Sequence, residues 1–150
     1  MYKRLIVIVA IIITFINCET KKYSIEGNWY RYYIDKVDSI PFGNYEEIYF
    51  TKDTIFSFTT LGGYVSPRSY KTVNDTLINT SVYSKFIIDK VTENSIKYSN
   101  EYGFQFEMKK QTEKPTLEDF IRKKIKRKNY SESFFARFQK IENKRLKSNQ

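Results

Sequence analysis

A mostly β fold is predicted by this sequence: an antiparallel, up-and-down β-barrel of about eight strands with one or two C-terminal helices. Three observations predict it. Tyr, Phe, Ile, Val and Thr are concentrated before Gln111 in runs of strand length. Short polar turns separate those runs, and beyond Pro115 the apolar period changes from two to about 3.6.

The chain opens with cations at Lys3 and Arg4, followed by an almost wholly apolar run from Leu5 to Ile16. That is the order of an export signal, and it is short for a permanent span, which needs about 20 apolar residues. Cys18 is the only cysteine. A lone thiol cannot close an internal disulfide, so its position has to explain it. The stretch Phe15-Ile16-Asn17-Cys18 resembles the lipobox of bacterial lipoproteins, with Asn17 where that family usually carries Gly, Ala or Ser. The resemblance implies that residues 1–17 are a signal peptide and that Cys18 is the site of lipid attachment. Residues 18–24 would then be a linker, and an N-terminal acyl anchor would hold the protein to the cell envelope, at the outer membrane. An ordinary secretory signal cut nearby and an uncleaved short anchor are the alternatives.

Residues 25–111 read as strands throughout. Turn residues recur at Pro41 to Asn44, Lys52-Asp53, Gly62-Gly63, Asn74-Asp75, Glu93-Asn94 and Tyr102-Gly103. Between them apolar residues alternate: Ile48 with Phe50, Phe56 with Phe58, Phe86 with Ile88, Ile96 with Tyr98, and Phe104 with Phe106 and Met108. Alternation at period two means one buried face per strand. Connections this short allow antiparallel neighbours and no helical crossover. Closing the meander removes its two free edges, and about eight strands enclose an interior that side chains can fill or that can hold one small ligand. A half-open sheet or a two-layer sandwich competes. The acids lie singly or in twos near turns, where solvated charges are expected.

Ile25 to Tyr33, IEGNWYRYY, resembles the first strand of lipocalin-like domains, whose signature is Gly-x-Trp. Gly27 lets the chain turn in closely, and Trp29, the only tryptophan, is large enough to plug one end of a barrel while its indole N–H finds a backbone partner. The family packs a cation from the last strand over that ring. Here Lys109 or Lys110 stands in the place of its Arg. The resemblance implies an apolar or amphipathic small molecule inside the barrel, with Trp29, Tyr33, Phe56, Phe58, Tyr70 and Phe106 as candidate ligand-binding residues. The other reading makes these aromatics a filled core. Tyr30, Tyr32 and Tyr33 cannot all face one side, so at least one lies outside any pocket.

Residues 112–150 form a basic helical extension. Thr116 and Asp119 are spaced as a capping box, and Leu117, Phe120, Ile121 and Ile125 follow as an apolar stripe. A second helix is expected from Asn129 or Ser131, with Phe134, Phe138 and Ile141 on one side, and Lys123 to Lys128 marks the break. The net charge is +9, but residues 18–111 hold 12 cations against 12 acids and residues 112–150 hold 12 against 5. Basicity therefore belongs to the extension. Docking on the barrel wall is one reading of it, and contact with an anionic membrane surface is the other. The expected compartment argues against a nucleic-acid partner.

The sequence has no histidine, and acylation would consume the one thiol. Nucleophile–base pairs and zinc sites built on His or Cys are thereby excluded, and no metal and no cofactor is expected. Carboxylates alone would leave a paired-acid glycosidase site open, and nothing in their placement favours one. The expected function is a non-enzymatic, lipid-anchored envelope lipoprotein that binds a small ligand in a lipocalin-like barrel. The alternative is a protein-interaction lipoprotein, such as an inhibitor, immunity or assembly factor, with a filled barrel.

Overall fold

Eight antiparallel strands close on themselves in chain order in the computed structural model, which describes residues 24–37, 40–81 and 83–148. They are β1 (Gly27–Val37), β2 (Ile40–Phe50), β3 (Thr54–Thr59), β4 (Gly63–Val73), β5 (Thr76–Asn79), β6 (Ser84–Val91), β7 (Ser95–Asn100) and β8 (Gln105–Lys110). The barrel and its C-terminal helices match the fold class that the apolar periodicity predicts. The signal segment, Cys18 and most of the linker lie outside the described residues.

Turn chemistry fixes the registers locally. Val73 faces Thr76 across a two-residue turn whose first residue, Asn74, has φ 54°, a left-handed conformation that Asn tolerates well. Gly27 has φ +114°, a conformation that side-chain-bearing residues rarely adopt, so the opening of β1 calls for glycine. Lys110 stands 4.2 Å above the Trp29 ring, which is 1% exposed and donates from Nε1 to the Ile25 carbonyl at 2.7 Å. Of the two lysines expected near the tryptophan, Lys110 is the one over its ring.

The seam between β1 and β8 is short. Only Trp29 with Lys110 and Tyr30 with Lys109 pair across it, whereas β1 pairs with β2 from Gly27 opposite Phe50 to Val37 opposite Ile40. Beyond Tyr30 the two strands diverge, leaving an opening in the barrel wall.

Two apolar clusters result. One fills the lower barrel with Trp29, Ile48, Phe50, Ile55, Tyr70, Leu77, Ile96, Tyr98 and Met108. The other lies outside the barrel, where Tyr45, Tyr49 and Phe58 meet Leu117, Tyr130 and Phe134 of the helices. The helical extension is therefore packed against the wall through residues from Leu117 to Ile141. The expectation of one buried face per strand fails at β2, where every residue from Asn44 to Phe50 is buried. Helices cover its outer face and the core covers its inner one.

Helix α1 (Leu117–Ile121) has the expected capping box: the Thr116 amide donates to Asp119 Oδ2 at 2.9 Å, and the Asp119 amide to Thr116 Oγ1 at 3.4 Å. The Thr116 amide, opposed by partial burial and aided by Lys114, holds the Asp119 carboxyl down at about 2. The helix is shorter than its apolar stripe because Lys123, at φ 56°, ends it, although Ile125 still packs on the wall. Asn28 ties it to β1, accepting from the Glu118 amide at 3.0 Å. Helix α2 (Arg127–Ser148) follows, starting a few residues before the expected Asn129 or Ser131.

Glu47 joins α2 to the barrel. It is fully buried on the outer face of β2 and accepts from Arg137 Nε at 2.7 Å and Arg137 Nη2 at 3.0 Å. The Tyr45 and Tyr130 hydroxyls donate to it at 2.8 and 2.7 Å, and Gln111 Nε2 at 3.2 Å. Burial and this carboxylate push both tyrosines far above their ordinary pKa. Removing one partner of such a pair leaves a buried charge uncompensated. Arg137→Leu should thus cost about 3–5 kcal/mol in urea titration of the folded protein. A loss below about 1 kcal/mol, the range of an exposed ion pair, would show that the pair does not hold the helix.

Candidate functional site: the barrel interior

Inward side chains of β1 and β2 stack in registered pairs: Trp29 with Ile48, then Arg31 with Glu46, then Tyr33 with Asn44. The order runs from apolar to ionic to polar along the barrel. Beside these layers lies a cavity of about 90 Å³. Ile48, Phe50, Ile55, Leu77, Ile96 and Met108 give it an apolar floor, and Arg31, Glu46, Arg68 and Asn79 line its polar side.

The ionic layer is unevenly shared. Arg31 reaches Glu46 Oε2 from Nε at 2.6 Å and Nη2 at 2.5 Å, and donates from Nη1 to the Tyr98 hydroxyl at 2.8 Å. Burial opposes the Arg31 charge, but Glu46 and Tyr98 outweigh it and leave Arg31 above its ordinary pKa. Burial also raises Tyr98, partly offset by Arg31. Arg68 is held less firmly. Its Nη2 lies 4.0 Å from Glu46 Oε1 and donates to Ser57 Oγ at 3.3 Å. Its Nε is the one buried side-chain nitrogen or oxygen among the described residues without a hydrogen-bond partner.

A second space of about 460 Å³ opens where β1 and β8 diverge. Tyr32, Tyr33, Phe106 and Glu107 line it from the strands, and Ile141 and Lys144 from α2. Arg31 borders both spaces and so stands between the slot and the cavity. The slot is larger but polar over about half of its lining, whereas the cavity has the mostly apolar lining that small-molecule sites favour.

The six aromatics predicted as ligand contacts are dispersed. Trp29 plugs the barrel, and Tyr70 lies in the interior core with its hydroxyl donating to the Thr51 carbonyl at 2.5 Å. Tyr33 accepts from Asn44 Nδ2 at 2.8 Å and lines the slot. Phe106 also lines the slot and stacks on Tyr98, with ring centroids 5.3 Å apart. Phe56 and Phe58 are corrected: they share a face, but it is the outer one. Phe56 stacks on Tyr49, and Phe58 packs on Tyr130 and Phe134. The helices attract the largest rings of β3 to the outside, leaving Ile55 and Ser57 to point inward.

The residues that shape the cavity's polar side are the ones missed by reading aromatics alone. Their signal is parity: Arg31 shares a face with Trp29, and Glu46 shares one with Ile48 and Phe50. Arg68 was hidden by a register shift between Ile55 and Ser57, which breaks simple counting into β4.

The two buried acids of β2 point to opposite faces of the sheet, so they cannot act on one substrate as a pair. Among the described residues no group of three or more acids, His or Cys is placed to hold a metal ion. What the site can do is hold a small molecule between an apolar floor and a guanidinium. Comparison of the chain with protein families, with curated proteins and with solved structures finds no match.

The uneven sharing has a measurable consequence. Arg31→Leu strands the buried Glu46 carboxylate and should cost about 3–5 kcal/mol. Arg68→Leu removes a cation with little to lose and should change stability by less than about 1 kcal/mol. Urea titration of both variants checks the order, and a larger loss at Arg68 would reverse the assignment of Glu46 to Arg31.

Proposed function

We propose that this protein is a lipid-anchored lipoprotein of the bacterial envelope that binds a small amphipathic molecule inside its barrel. The observation that carries the reading is the interior cavity, apolar on its floor and ionic on one side. A barrel serving only as a scaffold gains nothing from a half-satisfied arginine with a buried, unpartnered Nε on its inward face, since such groups cost stability. At about 90 Å³ the cavity is well below the range for drug-sized ligands. An apolar cavity of about 150 Å³ takes the six carbons of benzene, so this one encloses about four non-hydrogen atoms. No chemistry is assigned to the site, and binding is the whole of the proposed activity.

The anchor rests on the Phe15-Ile16-Asn17-Cys18 pattern and on its place at the end of an apolar run. With Cys18 acylated, only a few residues separate the lipid from Ser24, so the domain would ride close to the membrane. The exposed rings of Tyr83, Tyr102 and Phe104 at strand-connecting turns favour a second reading, in which the barrel end docks on a protein partner.

Two measurements test the proposal. Cells fed an alkyne-bearing fatty acid should label the wild type and leave Cys18→Ala dark and released from the membrane fraction; equal labelling would remove the anchor from the account. Fluorine NMR with a panel of fragments of about four to six heavy atoms should find ligands whose binding weakens at least about tenfold in Leu77→Phe, which fills the floor. A panel that never binds the folded wild type would favour the docking reading.

A further inference from the structure

The ionic side of the cavity is not neutral. Arg31, Glu46 and Arg68 bring two cations and one carboxylate to the lining, an excess of one positive charge. Glu46 is already engaged by Arg31 through contacts of 2.5 and 2.6 Å. Arg68 is left with one 3.3 Å hydrogen bond to Ser57 Oγ and a 4.0 Å approach to Glu46. Its Nε has no partner at all among the described residues. The Nε–Nη2 edge of a guanidinium is the one that receives a carboxylate through two parallel N–H···O bonds.

We infer that the ligand of the barrel is a small monocarboxylate with a short aliphatic chain, its carboxylate on Arg68 and its chain on the floor made by Ile48, Leu77, Ile96 and Met108. The inference rests on the small-molecule reading of the barrel and narrows it to one chemical class. Three features select that class. The excess charge is one, which a monoanion neutralises and a phosphate, at about −1.5 to −2, overshoots. An apolar floor rewards a hydrocarbon and gives nothing to a bare inorganic ion. The cavity of about 90 Å³ is smaller than the roughly 150 Å³ that takes benzene, so it encloses a chain of about four carbons and excludes a long one, which leaves the carboxylate at the partly exposed Arg68.

Arg68 can make the movement that binding needs. Its Nε is buried without a partner, so the guanidinium has to turn to present its edge. The Arg68 side chain is 34% exposed, and the turn gives up only the long bond to Ser57 and the 4.0 Å approach to Glu46. Arg31 cannot serve in its place, because moving it would unpair Glu46 and release Tyr98. Arg31 instead stays on Glu46 Oε2 and offsets the negative charge of that carboxylate, whose Oε1 lies 4.0 Å from Arg68.

The test uses the full-length acylated protein in lipid nanodiscs, with isotope-labelled Ile, Leu and Met methyls observed by NMR. Butyrate, 1-butanol, butylamine and inorganic phosphate are the probes. Butyrate should shift the floor methyls and bind at least tenfold more tightly than 1-butanol, while butylamine and phosphate leave these methyls unmoved. Arg68→Gln should erase the preference for butyrate over 1-butanol without changing the affinity for 1-butanol, and Arg68→Lys should restore part of it. Equal affinity for butyrate and 1-butanol would overturn the monocarboxylate assignment while leaving the small-molecule reading intact. Binding of none of the four would overturn both. Tighter binding of phosphate than of butyrate would replace a carboxylate by an inorganic anion and equally overturn the assignment. The comparison among probes on the wild type is decisive even if Arg68→Gln fails to fold.

Discussion

From Asn44 to Phe50 strand β2 is buried on both of its faces, and most of the architecture follows from that constraint. Glu46 and Glu47 are consecutive, so they point to opposite sides of the sheet, and both are buried. A buried carboxylate persists only when it is paired and hydrogen-bonded. Each therefore takes an arginine from a distant part of the chain, Glu46 from β1 inside the barrel and Glu47 from α2 outside it. The outer pair, with the Tyr45 and Tyr130 hydroxyls, decides where the long helix lies. Further along, Gly43 leaves room for the contact of the Tyr32 hydroxyl with Glu142, where a Cβ would collide with both. Helix and barrel thus share one core, and the cationic residues of α2 that are not used in it remain on the solvent side.

The same constraint separates structure from function. The outer carboxylate is fully satisfied by five donors on four side chains, which is the pattern of a structural joint. The inner one is paired on one side only, with a second arginine nearby that has little to bind. An interior of this kind has capacity left over for a ligand, and its geometry suits an anionic head above an apolar tail. Arg31 borders both the cavity and the slot between β1 and β8, where the ladder is only two pairs long. The shortest ladder of the barrel is therefore also the one beside Arg31.

Much of this was legible in the sequence. Alternation gave the strands, short turns gave their antiparallel order, and Thr116 with Asp119 marked the start of α1 to the residue. Trp29 was expected as a plug from its size and from Gly27, and the cation over its ring, Lys109 or Lys110, from the lipocalin-like resemblance. What could not be read locally was the second burial of β2. Asn44 to Phe50 has the alternating look of a strand with one wet face, and only the docking of Tyr130, Phe134 and Arg137 makes its outer side a core. That tertiary contact sent Phe56 and Phe58 outward and buried Glu47, while barrel closure buried Glu46. Parity from Trp29 and Ile48 pointed to Arg31 and Glu46, whereas the register shift in β3 and β4 concealed Arg68.

The central claim is that the barrel, and not the slot or the helix surface, is the binding site. Isotope-filtered NOEs from unlabelled butyrate to a methyl-labelled protein locate the ligand directly. The account predicts contacts from the butyrate chain to methyls of Ile48, Leu77, Ile96 and Met108, which line the cavity and are remote in sequence from one another. Contacts confined to Ile141, which lines the slot and not the cavity, would contradict it.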